Sequence, residues 1–200
     1  MRRVRRRAAA AACGVIALSL FLAAAAPAGP DGDASRSRRL LVNGDSLAAG
    51  TRPYIPRELR RWRVTQSVSI GRHAPEGAAV MRSYGRSLPR VIHVSLGTND
   101  DPRAVSSFHA SIGEVMDAAG PRRCVVWANI VRPPVAGTSY AGYNRALAEE
   151  SRSREELHLV DWMRMVRENP HWLAEDGVHV TAEGYQARAR AIARAVRRCR

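Results

Sequence analysis

A serine, an asparagine and an aspartate–histidine pair stand out in this 200-residue chain, because their types and order suit acyl transfer. Ser46 lies in Gly44-Asp45-Ser46-Leu47, just after the apolar run Leu40-Leu41-Val42. Asn99 lies in Gly97-Thr98-Asn99-Asp100, which follows the run from Val91 to Leu96. Asp176-Gly177-Val178-His179 sits just ahead of the last helical stretch. A serine hydroxyl is inert at its own pKa and needs a base within hydrogen-bond reach. His179 supplies the base. Asp176, three residues earlier across a turn softened by Gly177, can accept from the imidazole Nδ1–H and leave Nε2 for the serine proton. The Asn99 amide is a non-titrating donor that can face developing negative charge. Each segment alone has a plainer reading: Ser46 as a helix N-cap, Gly-Thr-Asn-Asp as a turn, Asp176 as the opener of a surface loop. The conjunction in this order is what points to chemistry. Of the other histidines, His93 falls in an apolar strand and is expected as a satisfied core residue. His109 and His158 lack a carboxylate-plus-serine arrangement.

From Leu40 to Ala195 this ordered set resembles the SGNH, or GDSL-type, hydrolase family. The resemblance implies Ser46 as nucleophile, His179 as base, and Asp176 as the group that orients it. It also implies an oxyanion hole made by the N–H groups of Ser46 and Gly71 together with Asn99. The segment Ile70-Gly71-Arg72-His73 lacks the second glycine common in the family. It looks more like the Gly-Arg-Gln stretch in the SGNH domains of peptidoglycan O-acetyltransferases. Asp161-Trp162, His171-Trp172-Leu173 and the Val180-Thr181 that follows His179 fit the same subgroup. On that resemblance, His73 and Trp172 are candidates to line the site; the equal alternative is a surface position for His73 and core packing for Trp172.

The elements that must position these residues alternate between short β-branched runs and longer helical patterns, the signature of an α/β domain with a parallel sheet. Strands are expected at Arg39–Asn43, Arg63–Ile70, Val91–Ser95, Cys124–Ile130 and Leu157–Asp161. Helices are expected near Pro56–Arg61, Glu76–Ser87, Pro102–Ala119, Tyr140–Arg154 and Thr181–Cys199. In the last of these, Tyr185, Ala189, Ile192, Val196 and Cys199 form an apolar stripe, with Arg188, Arg190, Arg194 and Arg197 placed off it and Thr181 as N-cap. Ser46 and Asn99 both follow strand ends, and an open parallel sheet binds ligands beyond the carboxyl ends of its strands. The family resemblance completes the fold class as a three-layer αβα sandwich on a five-stranded parallel sheet, flavodoxin-like, with the first strand central. Specificity is expected from the loops Val131–Thr138 and Met163–Glu175.

The amino terminus reads as an export signal. Met1 to Arg7 is a basic stretch, Ala8 to Ala26 is uncharged and mostly apolar, and Ala26-Pro27-Ala28 suits a signal peptidase. Residues 1–28 are therefore expected as a cleaved signal peptide, 29–38 as a disordered leader, and 39–200 as the single SGNH domain; an uncleaved anchor is the alternative. Removing residues 1–28 takes away five arginines and no acid, so the net charge falls from +14 to +9 over 172 residues. Every basic residue is arginine, which reads first as GC-rich coding bias and second as a sign of an anionic partner such as an acidic envelope polymer. The arginines are scattered and no nucleic-acid-binding motif appears, so a nucleic-acid partner is not expected. No cofactor is called for, and no metal-ligand spacing is present.

Export makes oxidation of the two remaining cysteines possible. His179 belongs on the active rim, so the helix from Thr181 must run back to the opposite edge of the sheet. There Cys199 meets Cys124, which opens its strand, and a disulfide between them is expected. The expected activity is an exported, monomeric serine esterase acting on small-molecule or glycan acyl esters. An O-acyltransferase to envelope glycans, working with a separate membrane partner, is the alternative. A non-catalytic envelope-binding module is the reading from another class.

Overall fold

The computed structural model describes residues 38–199, so the expected signal peptide and all but the last residue of the leader lie outside the described residues. Five strands, β1 (Arg39–Gly44), β2 (Arg63–Val68), β3 (Val91–Ser95), β4 (Cys124–Ala128) and β5 (Leu157–Val160), form one all-parallel sheet in the order β2-β1-β3-β4-β5. This is the flavodoxin-like order expected. The middle strand is β3, however, and β1 stands beside it, so the first strand is interior rather than central.

Alternation along each strand assigns the two faces, because successive side chains point to opposite sides. Leu41, Ile92, Val94, Val125 and Trp127 pack with one helical layer: α3 (Ala74–Tyr84), α4 (Val105–Ala119) and α5 (Ala141–Ser153). Leu40, Val42, Val91 and Val126 pack on the other side, against α2 (Ile55–Glu58), α6 (Trp162–Glu168) and α7 (Ala182–Arg198). The same alternation turns His93 and Ser95 of β3 toward α7. A short α1 (Ser46–Gly50) follows β1 directly.

The last helix begins where expected: Thr181 is its N-cap, accepting from the Gly184 N–H at 3.2 Å. Its alanine content favours helix and lets the backbone lie close to the sheet. Gly50 at the end of α1 has a packing reason, since a Cβ there would come within 2.2 Å of the Tyr185 ring on α7. The helix that opens with Ser46 and the last helix are therefore in direct contact. Cys199 caps the C-terminus of α7 and forms a disulfide with Cys124 at the start of β4, across a sequence separation of 75.

Two expectations change. Val68 ends β2 and Ala128 ends β4, both two residues early, as the chain turns toward the rim. Much of Met163–Glu175, expected as a loop, is helical: α6 and a 3-10 turn at Pro170–Trp172.

Candidate active site

The turn after β1 shows that Ser46 is not a helix cap. Asp45, not Ser46, is the N-cap of α1, and its Oδ1 accepts from the Leu47 N–H at 3.0 Å. Ser46 is left at the first helical position, half-buried, with its hydroxyl free to point outward.

His179 reaches that hydroxyl from a tightly closed loop. The Ala174 N–H donates to the His179 carbonyl at 2.9 Å and the Thr181 N–H to the Trp172 carbonyl at 2.8 Å. Within the loop, Asp176 Oδ1 accepts from the N–H groups of Val178 and His179, each at 2.9 Å. Gly177 has φ +67°, and a Cβ there would come within 2.8 Å of Pro133, so both conformation and space require glycine.

A continuous hydrogen-bond chain results. Asp176 Oδ2 lies 2.6 Å from His179 Nδ1, and His179 Nε2 lies 2.9 Å from Ser46 Oγ. The hydrogen bond from His179, with the two backbone N–H groups, holds the Asp176 carboxyl down at about 2. An ionised carboxylate only accepts, so Nδ1 must carry the proton and Nε2 presents its lone pair to the serine. Among the described residues this arrangement can do one thing well: activate a hydroxyl nucleophile.

Asn99 sits on the same rim, and its Nδ2 donates to the Arg72 carbonyl at 3.3 Å. One N–H is thereby fixed and the other remains for a ligand. Gly71 lies in an exposed turn with φ +77°, where a side chain would meet nothing within 4 Å. Its glycine is explained by backbone conformation rather than by crowding. The Arg72 guanidinium ties this turn to the sheet through Asn43 Oδ1 at 3.0 Å and the Ser67 carbonyl at 2.6 Å.

The two candidates to line the site are placed differently. His73 is the exposed N-cap of α3 and pairs with Asp100 at 3.4 Å, without touching the Ser46–His179 pair. Trp172 is buried and stacked on Trp162 at 5.9 Å, with its indole N–H on Glu183 at 3.1 Å. It supports the base of the His179 loop from within the core. A cleft of about 360 Å³ beside the triad is lined instead by Asn99, Arg132, Pro133, Pro134, Val135, Asp176, Val178 and His179. Val131–Thr138, expected to set specificity, thus contributes four of its walls. Met163–Glu175 contributes none.

Behind Ser46 lies a buried polar cluster. Arg188, expected off the apolar stripe, is 1% exposed. Its Nη2 donates to Ser95 Oγ at 3.1 Å, and the Ser95 hydroxyl donates to Asp45 Oδ1 at 3.3 Å. The Arg188 guanidinium also stands 4.9 Å over the Trp162 ring. The last helix, which starts three residues after His179, is thereby linked to the residue before Ser46. Burial pushes Asp45 above the usual carboxylate range, with Arg188 pulling it back. His93 bonds the Val126 carbonyl at 2.9 Å but leaves Nε2 without a partner, so it is only half-satisfied. Burial, and then Arg188, lower it to about 3, which keeps it neutral.

No family model matches the chain. Its sequence is 25% identical over 160 residues to the O-acetyltransferase OatA of Staphylococcus aureus, a match covering 78% of this chain. The chain spans about a quarter of the length of that relative, whose match covers 24% of its own sequence. The C-terminal catalytic domain of Streptococcus pneumoniae peptidoglycan O-acetyltransferase A, solved with a methylsulfonyl adduct, superimposes with a TM-score of 0.62 at 16% identity, covering 80% of this chain and 90% of that one. A GDSL-like lipase from Bacteroides thetaiotaomicron gives 0.64 at 16% identity, covering 81% and 89%. A family 3 carbohydrate esterase from Clostridium thermocellum gives 0.59 at 16% identity, covering 78% and 92%. The fold of this chain is that of the SGNH, or GDSL-type, hydrolases.

Proposed function

We propose that this protein is a serine-dependent esterase that works through an acyl-enzyme. One observation carries the reading: the unbroken chain from Asp176 through His179 to Ser46, with contacts of 2.6 and 2.9 Å. Ser46 Oγ attacks the ester carbonyl while His179 Nε2 takes its proton. The free N–H of Asn99 and the N–H groups of Ser46 and Gly71 receive the negative charge on the carbonyl oxygen. His179 returns the proton to the leaving alcohol as the tetrahedral intermediate collapses. Water, deprotonated by the same histidine, then releases the acid and regenerates Ser46.

A sugar hydroxyl in place of that water would make the protein an O-acyltransferase. The likeness to O-acetyltransferase OatA favours this second reading. Both use the same residues, so only the acceptor distinguishes them.

The basic, apolar-rich amino terminus supports an exported protein, with residues 1–28 as its signal peptide. An anionic envelope polymer as partner is supported by charge placement. Arg38, Arg57, Arg60, Arg61 and Arg197 line one groove of about 410 Å³, with Glu58 its single acid. That groove lies at the amino-terminal ends of β1 and β2, opposite the triad.

The test is a panel of acetyl and longer-chain esters, run with and without chito-oligosaccharide acceptors and with Ser46→Ala as control. Turnover absent in Ser46→Ala supports the esterase; acetylated sugar among the products would assign the transferase. Equal turnover in Ser46→Ala would overturn both.

A further inference from the structure

The cleft beside the triad contains one cation whose charge the proposed chemistry does not use. Arg132 lies between β4 and α5, half-buried in the cleft wall, on the same lining as Asn99 and His179. Its guanidinium is held from two sides. Nη1 donates to the Thr98 carbonyl, next to Asn99, and the group stands 5.8 Å over the Tyr140 ring. Tyr140 is itself pinned, its hydroxyl donating to the Asp100 carbonyl at 2.9 Å.

No carboxylate neutralises this group among the described residues. Asp101 is committed to Arg103 at 2.7 Å, and Asp176, the one acid on the cleft lining, gives both oxygens to His179 and the Val178 N–H. Among the described residues, one protein acceptor takes one of the five guanidinium N–H donors and four remain for a ligand, on a lining that sets the apolar Pro133, Pro134, Val135 and Val178 beside Asn99, Asp176 and His179. A planar, always-charged fork fixed from two sides matches a carboxylate in both shape and charge.

We propose that Arg132 is a specificity-determining residue that selects esters bearing a carboxylate. This rests on the esterase reading and deepens it by naming a substrate class. The guanidinium holds the carboxylate end of the substrate, and the ester carbonyl is then presented to Ser46 and Asn99.

Matched small esters test it on the purified protein. 4-Acetoxybenzoate is compared with neutral 4-acetoxybenzamide, placing the charge on the alcohol side. Phenyl hydrogen succinate is compared with phenyl butyrate, placing it on the acyl side. The protein should prefer the carboxylate in one pair by roughly tenfold or more in kcat/KM, and 0.5 M salt should weaken the preference. Arg132→Gln should lower kcat/KM for that carboxylate ester at least roughly tenfold more than for its neutral partner. Arg132→Lys should keep part of the preference. No preference in either pair, or equal losses on charged and neutral esters in Arg132→Gln, would overturn the proposal and leave the esterase standing. If no ester is turned over, the esterase reading fails, and a titration still decides Arg132. Benzoate, but not benzamide, should shift the Arg132 Nε–H resonance saturably; no shift with either would refute the site.

Discussion

Replacing Arg188 with methionine tests how the nucleophile turn is held from behind. Methionine keeps an unbranched apolar stem for the contact with Trp162 but removes the cation. Asp45, fully buried, would then keep the Ser95 and Thr98 hydroxyls and the N–H groups of α1 as partners, with no cation beside it. Removing one member of a buried ionic link typically destabilises by ~3–5 kcal/mol, because the remaining charge is left uncompensated. In a domain of this size that corresponds to a fall in Tm of roughly 10 °C. The pH dependence gives the argument its sign. Burial raises Asp45 in the folded state and Arg188 lowers it, so losing Arg188 raises it further. A carboxyl with a raised folded-state pKa binds its proton more tightly when folded, so its destabilising effect is full above that pKa and fades as pH falls. Urea denaturation should therefore show a larger Arg188→Met penalty at pH 8 than at pH 5. The double variant Asp45→Asn/Arg188→Met should recover much of the loss, since asparagine is also a good N-cap. A penalty equal at both pH values and unrelieved by Asp45→Asn would refute the reasoning.

Other outcomes follow from the same geometry. Because His179 holds the Asp176 carboxyl at about 2, Asp176 stays ionised across the working range. Acidification should then lower kcat/KM by no more than about tenfold per pH unit, the slope of a single protonation to which Asp176 adds none; a hundredfold slope would contradict it. Asp176→Asn should reduce kcat by roughly 10³–10⁴-fold through loss of the correct tautomer, measured on a fast acetyl ester. In a protein beginning at Gly29, thiol titration after denaturation without reductant should find no free cysteine. Cys124→Ser/Cys199→Ser should lose on the order of 4 kcal/mol for a closed loop of 75 residues, read from denaturant midpoints. Arg57→Gln/Arg60→Gln/Arg61→Gln should weaken binding to long-chain polyphosphate at least tenfold while ester turnover is retained; unchanged binding would remove the groove as a polyanion site.

What the sequence made legible was decided by how locally each feature is encoded. Strand β3 is bounded by Pro89 and Gly97, and its limits are as expected, Val91–Ser95. The Asp176–His179 turn is a four-residue unit whose internal hydrogen bonds follow from its own spacing. The disulfide could be reasoned out because a helix leaving the active rim has one direction to run. Arg188 shows the opposite case. It lies three residues after Tyr185 and four before Ile192, so helical periodicity does place it inward, and residue type alone argued for solvent. Its partner Asp45 is 143 positions away, and only the sheet brings the two together. For Trp172 the sequence leaves two readings open, site lining and core packing, and only the tertiary stacking on Trp162 decides for the core. Arg132 sat in a loop expected to matter, yet its pinning by Thr98 and Tyr140 depends on contacts that no local pattern encodes.

The central claim is that His179, oriented by Asp176, activates Ser46. Reaction with a fluorophosphonate followed by peptide mapping tests it most directly, because only a base-activated serine reacts readily. The account predicts a single adduct on Ser46, lost in Ser46→Ala and strongly slowed in His179→Ala, with both variants still folded. Labelling that persists undiminished in Ser46→Ala, or an adduct mapped to another residue, would contradict it.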